Sequence, residues 1–119
     1  MERSEMHRIG IDRGMARGIA RLVILSQIKK SRTYPYALLR CIKGHQFLGK
    51  FVSKSDVYNI TTSLEKDGYI RRNARVSGGR LQKVYAITPE GAEVVKNKDR
   101  IIKRTISDFR KLIKEEFDE

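Results

Sequence analysis

A mainly α-helical chain with one small β-hairpin is the fold class this sequence predicts, and three observations predict it. Helical apolar spacing recurs in four separate segments of the 119 residues. It is interrupted at 69–88 by strand chemistry folded about Gly78-Gly79. The composition, 39% hydrophobic and 34% charged, suits a small domain with much exposed helix. A polar-faced helix followed at once by a basic hairpin is the winged helix-turn-helix arrangement, here with a long helix appended. The expected organisation is a flexible basic arm over 1–12, a winged-helix unit over 13–88 and a C-terminal dimerisation helix over 89–119.

Residues 1–12 carry Arg3 and Arg8 and lack periodicity. They could reach along DNA or across to a partner, or simply be a disordered tail. Asp12 is an N-cap for a first helix to about Lys30, with Ile19, Leu22, Val23 and Ser26 at helical spacing. Ile24, Leu25 and Ile28 widen that stripe, which suggests contact with more than one neighbour. Gly14 and Gly18 either allow close helix packing or merely weaken the first turns. Pro35 opens a second helix whose inward face is Leu38, Leu39 and Ile42, and Gly44 ends it. Cys41 on that helix reads as a small buried hydrophobe. Residues 45–52 read as a loop whose Phe47, Leu48 and Phe51 tuck against the core.

Ser53 and Asp56 form a capping-box pattern at the head of a third helix. Val57, Ile60, Thr61 and Leu64 face inward, and Gly68 stops the helix. The hairpin turns at Ser77-Gly78-Gly79 and returns through Val84-Tyr85-Ala86-Ile87. Thr88-Pro89-Glu90 then opens a fourth helix, expected to run on toward residue 119. Along it Val95, Ile102, Phe109 and Glu116 are spaced by sevens, flanked by Ile106, Leu112, Ile113 and Phe117. A seam this long cannot be hidden on so small a core, so a second copy of the chain is its expected cover. Val95, Ile102, Ile106, Phe109, Leu112 and Ile113 are the candidate dimerisation residues.

The charge is +12, and its location says more than its size. Residues 89–119 hold eight acids and eight bases, whereas residues 1–88 hold 18 bases and six acids. An excess confined to one part suggests a surface for a polyanion and a separate element with another task. The hairpin has Arg71, Arg72, Arg75, Arg80 and Lys83 and no acid. These are candidate phosphate contacts, although side chains alternate along strands, so the five cannot all point one way. The bland reading is an edge hairpin blunted by charge; the single sign of the charges favours phosphate.

On the third helix Lys54, Ser55, Tyr58, Asn59, Thr62 and Lys66 are the candidate DNA contacts. Asn can pair bidentately with adenine, and Ser and Thr can donate or accept at any base. A polar face is more often merely solvated, and it is the adjoining wing that tilts the reading toward DNA. Tyr85 reads as packed rather than functional. His7 and His45 have no Cys or carboxylate at metal spacing and read as surface residues. One cysteine excludes a disulfide framework. No phosphate loop, nucleophile elbow or paired-carboxylate pattern appears, so neither an enzyme nor a cofactor is expected. No apolar run is long enough to span a bilayer and no signal peptide is seen, which makes the cytoplasm the expected compartment.

The run from Asp56 to Val95 resembles the PadR family of winged-helix transcriptional regulators. The likeness rests on Val57-Tyr58, on Leu64-Glu65 with Gly68 and Ile70, and on Gly78-Gly79-Arg80 with Lys83, Tyr85, Ile87, Thr88 and Gly91. Pro35-Tyr36 is similar to the family's Gly-Tyr at its second helix. Ser55-Asp56 stands where the family has a small Gly-Thr pair. The resemblance implies a homodimer, built on the C-terminal helix with help from the first, that binds a pseudo-palindromic operator and represses transcription. There is no Trp, and nothing in the sequence identifies a small-molecule effector. The competing readings are a nonspecific architectural DNA- or RNA-binding protein and a protein–protein module that uses the winged helix as scaffold.

Overall fold

The computed structural model describes residues 10–117. The elements are α1 (Ile11–Lys30), α2 (Pro35–Lys43), α3 (Gln46–Phe51), α4 (Lys54–Lys66), β1 (Ile70–Ser77), β2 (Arg80–Ile87), α5 (Pro89–Lys96) and α6 (Lys98–Phe117). Most of the arm expected over 1–12 lies outside the described residues, as does His7.

Helix α1 is the spine of the domain and packs on α3, α5 and β2. Its inward line is Ala16, Ala20, Ile24 and Ile28, with Leu25 beside it, all buried. The expected stripe through Ile19 is therefore turned: Ile19 and Met15 are exposed. Two of the inward positions are thus filled by alanine, while the larger Met15 and Ile19 are left outside. Asp12 is not the N-cap. Gly10, in the left-handed region at φ 77°, holds that place, and Asp12 sits in the first turn, where a negative charge suits the helix dipole. Its Oδ1 accepts from the Arg13 N–H at 3.1 Å. Gly14 and Gly18 have open space on their Cβ side.

Helix α2 starts at Pro35 and ends at Gly44 as expected, burying Leu38 and Ile42; Cys41 is half-buried. The stretch expected to be a loop is instead the six-residue helix α3. Phe47 and Phe51, one helical turn apart, meet edge-on with centroids 5.3 Å apart. A helix this short does not stand alone. Leu48 and Phe51 anchor it in the core, and the Lys43 ammonium donates to the carbonyls of Gly49 at 3.1 Å and Val52 at 2.9 Å.

At the head of α4 the Ser53 hydroxyl accepts from the Asp56 N–H at 3.0 Å, and the Asp56 carboxylate accepts from the Ser53 N–H at 2.9 Å. The tail is equally defined. Gly68, at φ 82°, lets Tyr69 N–H reach back to Leu64 O at 2.9 Å while its own N–H reaches Glu65 O at 3.1 Å. Val57, Ile60, Thr61 and Leu64 are buried, as their spacing predicts.

Strands β1 and β2 pair antiparallel from Ile70↔Ile87 to Ser77↔Arg80. The two turn residues are Gly78 and Gly79, at φ 58° and 78°, the positive pair that a two-residue hairpin turn needs. The buried Tyr85 exchanges backbone hydrogen bonds with Thr33 on the outer edge of β2, at 2.7 and 3.2 Å. At the wing's base the Thr88 hydroxyl accepts from Gly91 N–H at 3.1 Å and donates to Gly68 O at 2.7 Å. One threonine thus caps α5 and ties it to the end of α4.

The C-terminal segment is two helices, not the single one expected. Asn97 interrupts it at φ −97°, ψ 12°, its side chain donating to Glu93 Oε1 at 3.1 Å. Val95, grouped with the dimer seam by its spacing of seven, lies before the break and is buried in the chain's own core. Helix α6 has no buried residue. The radius of gyration is 16.5 Å, against about 13–14 Å for a compact chain of this length, and the long axis reaches 63 Å. Projection of α6 accounts for the difference.

Candidate nucleic-acid interface

Helix α4 presents three longitudinal strips to its surroundings. At about 100° per residue, Ser55, Asn59, Thr62 and Lys66 fall opposite the buried line. All four are exposed, as are Lys54 and Tyr58, so all six sequence-predicted residues of this helix reach solvent. The Thr62 hydroxyl donates to the Tyr58 carbonyl at 3.0 Å. Its lone pairs remain able to accept.

One flank of that strip meets the wing. Lys83 Nζ lies 5.5 Å from the centre of the Tyr58 ring, and Arg72 Nε lies 3.5 Å from Glu65 Oε1. Directly paired residues share a face of a hairpin. The register therefore puts Arg72 and Lys83 on the face that carries Ile70 and Tyr85, and Arg71, Arg75 and Arg80 on the other. The five wing cations divide two to three, with the pair turned toward α4 already engaged by Glu65 and Tyr58. Near the tip, Val76 and Leu81 form an exposed apolar cross-strand pair.

The opposite flank meets α1 through three arginines that the sequence reading passed over. Arg21 donates to Ser63 Oγ at 2.9 Å and to Asp67 Oδ2 at 2.8 Å. Arg13 and Arg17 approach the Asp56 carboxylate at 4.0 and 3.9 Å. Their signal was available as Arg at i, i+4 and i+8, a single line along one helix. Burial is the largest single influence on Asp56 and opposes its ionisation. The Ser53 amide and hydroxyl and the Arg13 and Arg17 charges together outweigh it and hold the carboxyl below its ordinary value of 3.8.

Helix α6 carries the other candidate surface. Ile102, Ile106, Phe109 and Ile113 follow a 4-3-4 spacing along one side, with Leu112 adjoining, and all five are exposed. Among the described residues no cluster of His, Cys, Asp or Glu could hold a metal ion. No helix among them is long and apolar enough to cross a membrane.

These features can be compared with known proteins. No curated protein matches the sequence. The fold is similar to that of a PadR-like transcriptional regulator from Bacillus cereus, at 25% identity and a TM-score of 0.66, over 84% of this chain and 96% of that one. A transcriptional regulator from Clostridium thermocellum matches at 25% identity and TM-score 0.66, covering 84% and 95% of the two chains. PadR of Bacillus subtilis, whose structure was solved with operator DNA, shares the fold at 23% identity and TM-score 0.55, over 66% of this chain and 45% of that one. The model of the transcriptional regulator PadR-like family matches residues 24–97. That span runs from the middle of α1 through the recognition-type helix and the wing to the Asn97 break, and the chain belongs to the PadR-like family of transcriptional regulators, which are not enzymes.

Proposed function

We propose that this regulator acts as a homodimer that binds a pseudo-palindromic operator in double-stranded DNA and represses transcription. The observation that carries this reading is the exposed strip Ser55-Asn59-Thr62-Lys66 beside a hairpin that holds five cations and no acid. A helix about 10–12 Å across with its side chains fits a major groove about 12 Å wide. Asn59, central on the strip, is the residue best suited to read a base edge, with Ser55 and Thr62 as adaptable neighbours. Lys54, Lys66 and the Tyr58 hydroxyl take the strip's margins. On the wing, Arg71, Arg75 and Arg80 have no ion-pair partner among the described residues and are the freest to take phosphates. Arg72 and Lys83 reach DNA only by giving up or sharing Glu65 and Tyr58.

Dimerisation is assigned to Ile102, Ile106, Phe109, Leu112 and Ile113 of α6, whose exposed apolar side chains a second copy would cover. Two recognition helices held this way would read half-sites about one DNA turn, roughly 34–36 Å, apart or a multiple of it. The operator complex of Bacillus subtilis PadR supports a DNA partner for this fold. Selection of bound sequences from a random duplex pool tests the whole reading. A symmetric motif is expected; enrichment of no motif from a protein that still binds would leave a nonspecific DNA-binding protein.

A further inference from the structure

We propose that Arg13 and Arg17 of α1 form a second phosphate-binding ledge, on the flank of α4 opposite the wing. The inference rests on the reading that α4 enters the major groove, and goes beyond it by assigning a clamp to a helix outside the recognition-helix-and-wing pair. Around the axis of α4, Tyr58 and Glu65 lie to one side of the exposed strip and Asp56, Ser63 and Asp67 to the other. The wing holds the first side through Lys83 and Arg72. Helix α1 holds the second through Arg13, Arg17 and Arg21. A helix lying in a groove has a phosphate backbone along each wall, so cations are wanted on both flanks.

The three arginines are not equivalent. Arg21 is occupied, with short hydrogen bonds to Ser63 and Asp67, and is a positioning residue that fixes α4 on α1. Arg13 and Arg17 sit at ion-pair range, 4.0 and 3.9 Å, too far for hydrogen bonds to the carboxylate. Both side chains are about half exposed, at 55% and 50%. One carboxylate, already accepting from the Ser53 N–H, faces two guanidinium groups, so the trio keeps a net positive charge. Asp56 thus aims two cations along the head of α4 without satisfying their donors. A DNA phosphate supplies the acceptor geometry that the forked guanidinium matches.

The test is the salt dependence of binding to a random-sequence duplex, followed by fluorescence anisotropy. Each phosphate contact contributes about 0.9 to the slope of log K against log salt. The double variant Arg13→Gln/Arg17→Gln should therefore lose about 1.8 of slope per protomer. Arg13→Lys/Arg17→Lys, which restores the charge, should regain it; a merely structural role would not follow charge in this way. A folded Gln variant with the wild-type slope overturns the proposal. Should the Gln variant fail to fold, phenylglyoxal modification of the wild-type chain decides: DNA should protect Arg13 and Arg17. Protection of Arg80 without protection of Arg13 and Arg17 sinks the ledge alone. Absence of wild-type binding to any duplex sinks the DNA-binding reading itself.

Discussion

Replacing Gly91 by alanine should destabilise the protein, although helix propensity alone predicts the reverse. Gly91 lies in the first turn of α5, and Ala is favoured over Gly within a helix by about 1 kcal/mol. The surroundings decide the sign. A Cβ at Gly91 would run into the Tyr69 carbonyl oxygen and lie 3.1 Å from Ile87 Cδ1. The isoleucine tip can move, but the carbonyl cannot readily do so, because it accepts the Thr88 N–H at 3.2 Å. Relief requires α5 to slide away from the wing's base, straining the Gly91–Thr88–Gly68 hydrogen-bond relay. Overpacking costs about 1–3 kcal/mol and each weakened hydrogen bond about 1 kcal/mol. With both hydrogen bonds of the relay weakened and the propensity gain subtracted, a net loss of about 2–4 kcal/mol remains, or roughly 10–15 °C in Tm for a chain of this size. Thermal and urea unfolding at one fixed protein concentration measure it, since the proposed self-association would make Tm concentration-dependent. Gly14→Ala and Gly18→Ala are the internal comparison. Both sites are helical with open space around the added Cβ, so each should gain up to about 1 kcal/mol. A Gly91→Ala protein as stable as wild type would refute the packing argument.

Four further outcomes are expected. Asn59→Ala should lower discrimination between the selected site and random DNA by about 1–3 kcal/mol; equal losses on both sequences would remove its base-reading role. Arg80→Ala should weaken binding to every duplex and reduce the salt slope by about 0.9 per protomer, and an unchanged slope would exclude a phosphate contact. Ile106→Glu combined with Phe109→Glu should convert a dimer to a monomer in sedimentation equilibrium, because both side chains are exposed on α6; a persistent dimer would place the interface elsewhere. Asp56 has a folded pKa below its ordinary 3.8, so its ionisation stabilises the fold fully above that value and progressively less as pH falls through the folded pKa. The stability gap between wild type and Asp56→Asn should therefore narrow on acidification, and a gap that stays constant from neutral pH to about pH 2 would show that the Asp56 charge contributes nothing.

The boundaries of α4 and the hairpin turn were legible because their signals are local. Ser53 and Asp56 close on each other across one turn, Gly68 supplies the positive φ that ends the helix, and Gly78-Gly79 supplies two more. The orientation of α1 was not legible in the same way. Its apolar residues cover most of the circumference, and only the partners reveal that Ala16 and Ala20, rather than Ile19, face the core. Helix α3 was missed because six residues cannot hold a helix by propensity; Lys43, from the preceding helix, and the burial of Leu48 and Phe51 hold it. Strand parity predicted a split among the wing cations. That Glu65 would take Arg72 depends on how the hairpin leans on α4. The line Arg13-Arg17-Arg21 was visible as spacing, but its meaning depends on Asp56, Ser63 and Asp67, some forty residues away.

The charge distribution gives the proposed dimer a further coherence. Residues 1–88 carry the whole net charge of +12 and residues 89–119 carry none. Two copies meeting through residues 1–88 would repel strongly, whereas meeting through α6, with seven bases to four acids, brings together helices that carry only a net +3 each. Helix α6 is 20 residues long, about 30 Å at the usual rise, while screening at physiological salt acts over about 8 Å. Winged-helix units held at the far ends of such helices would be several screening lengths apart and nearly indifferent to each other's charge. Self-association would then depend on apolar area and DNA binding on cations, so salt would tune the second with little effect on the first. The Asn97 break sits where these two tasks meet. On its N-terminal side Val95 is locked into the core; on its C-terminal side no residue of α6 is buried. In the proposed dimer the direction in which the seam leaves each domain would be set by the short link at Asn97 and by the packing of α5 beneath it, and Gly91 and Thr88 would then influence how the two α4 helices are spaced.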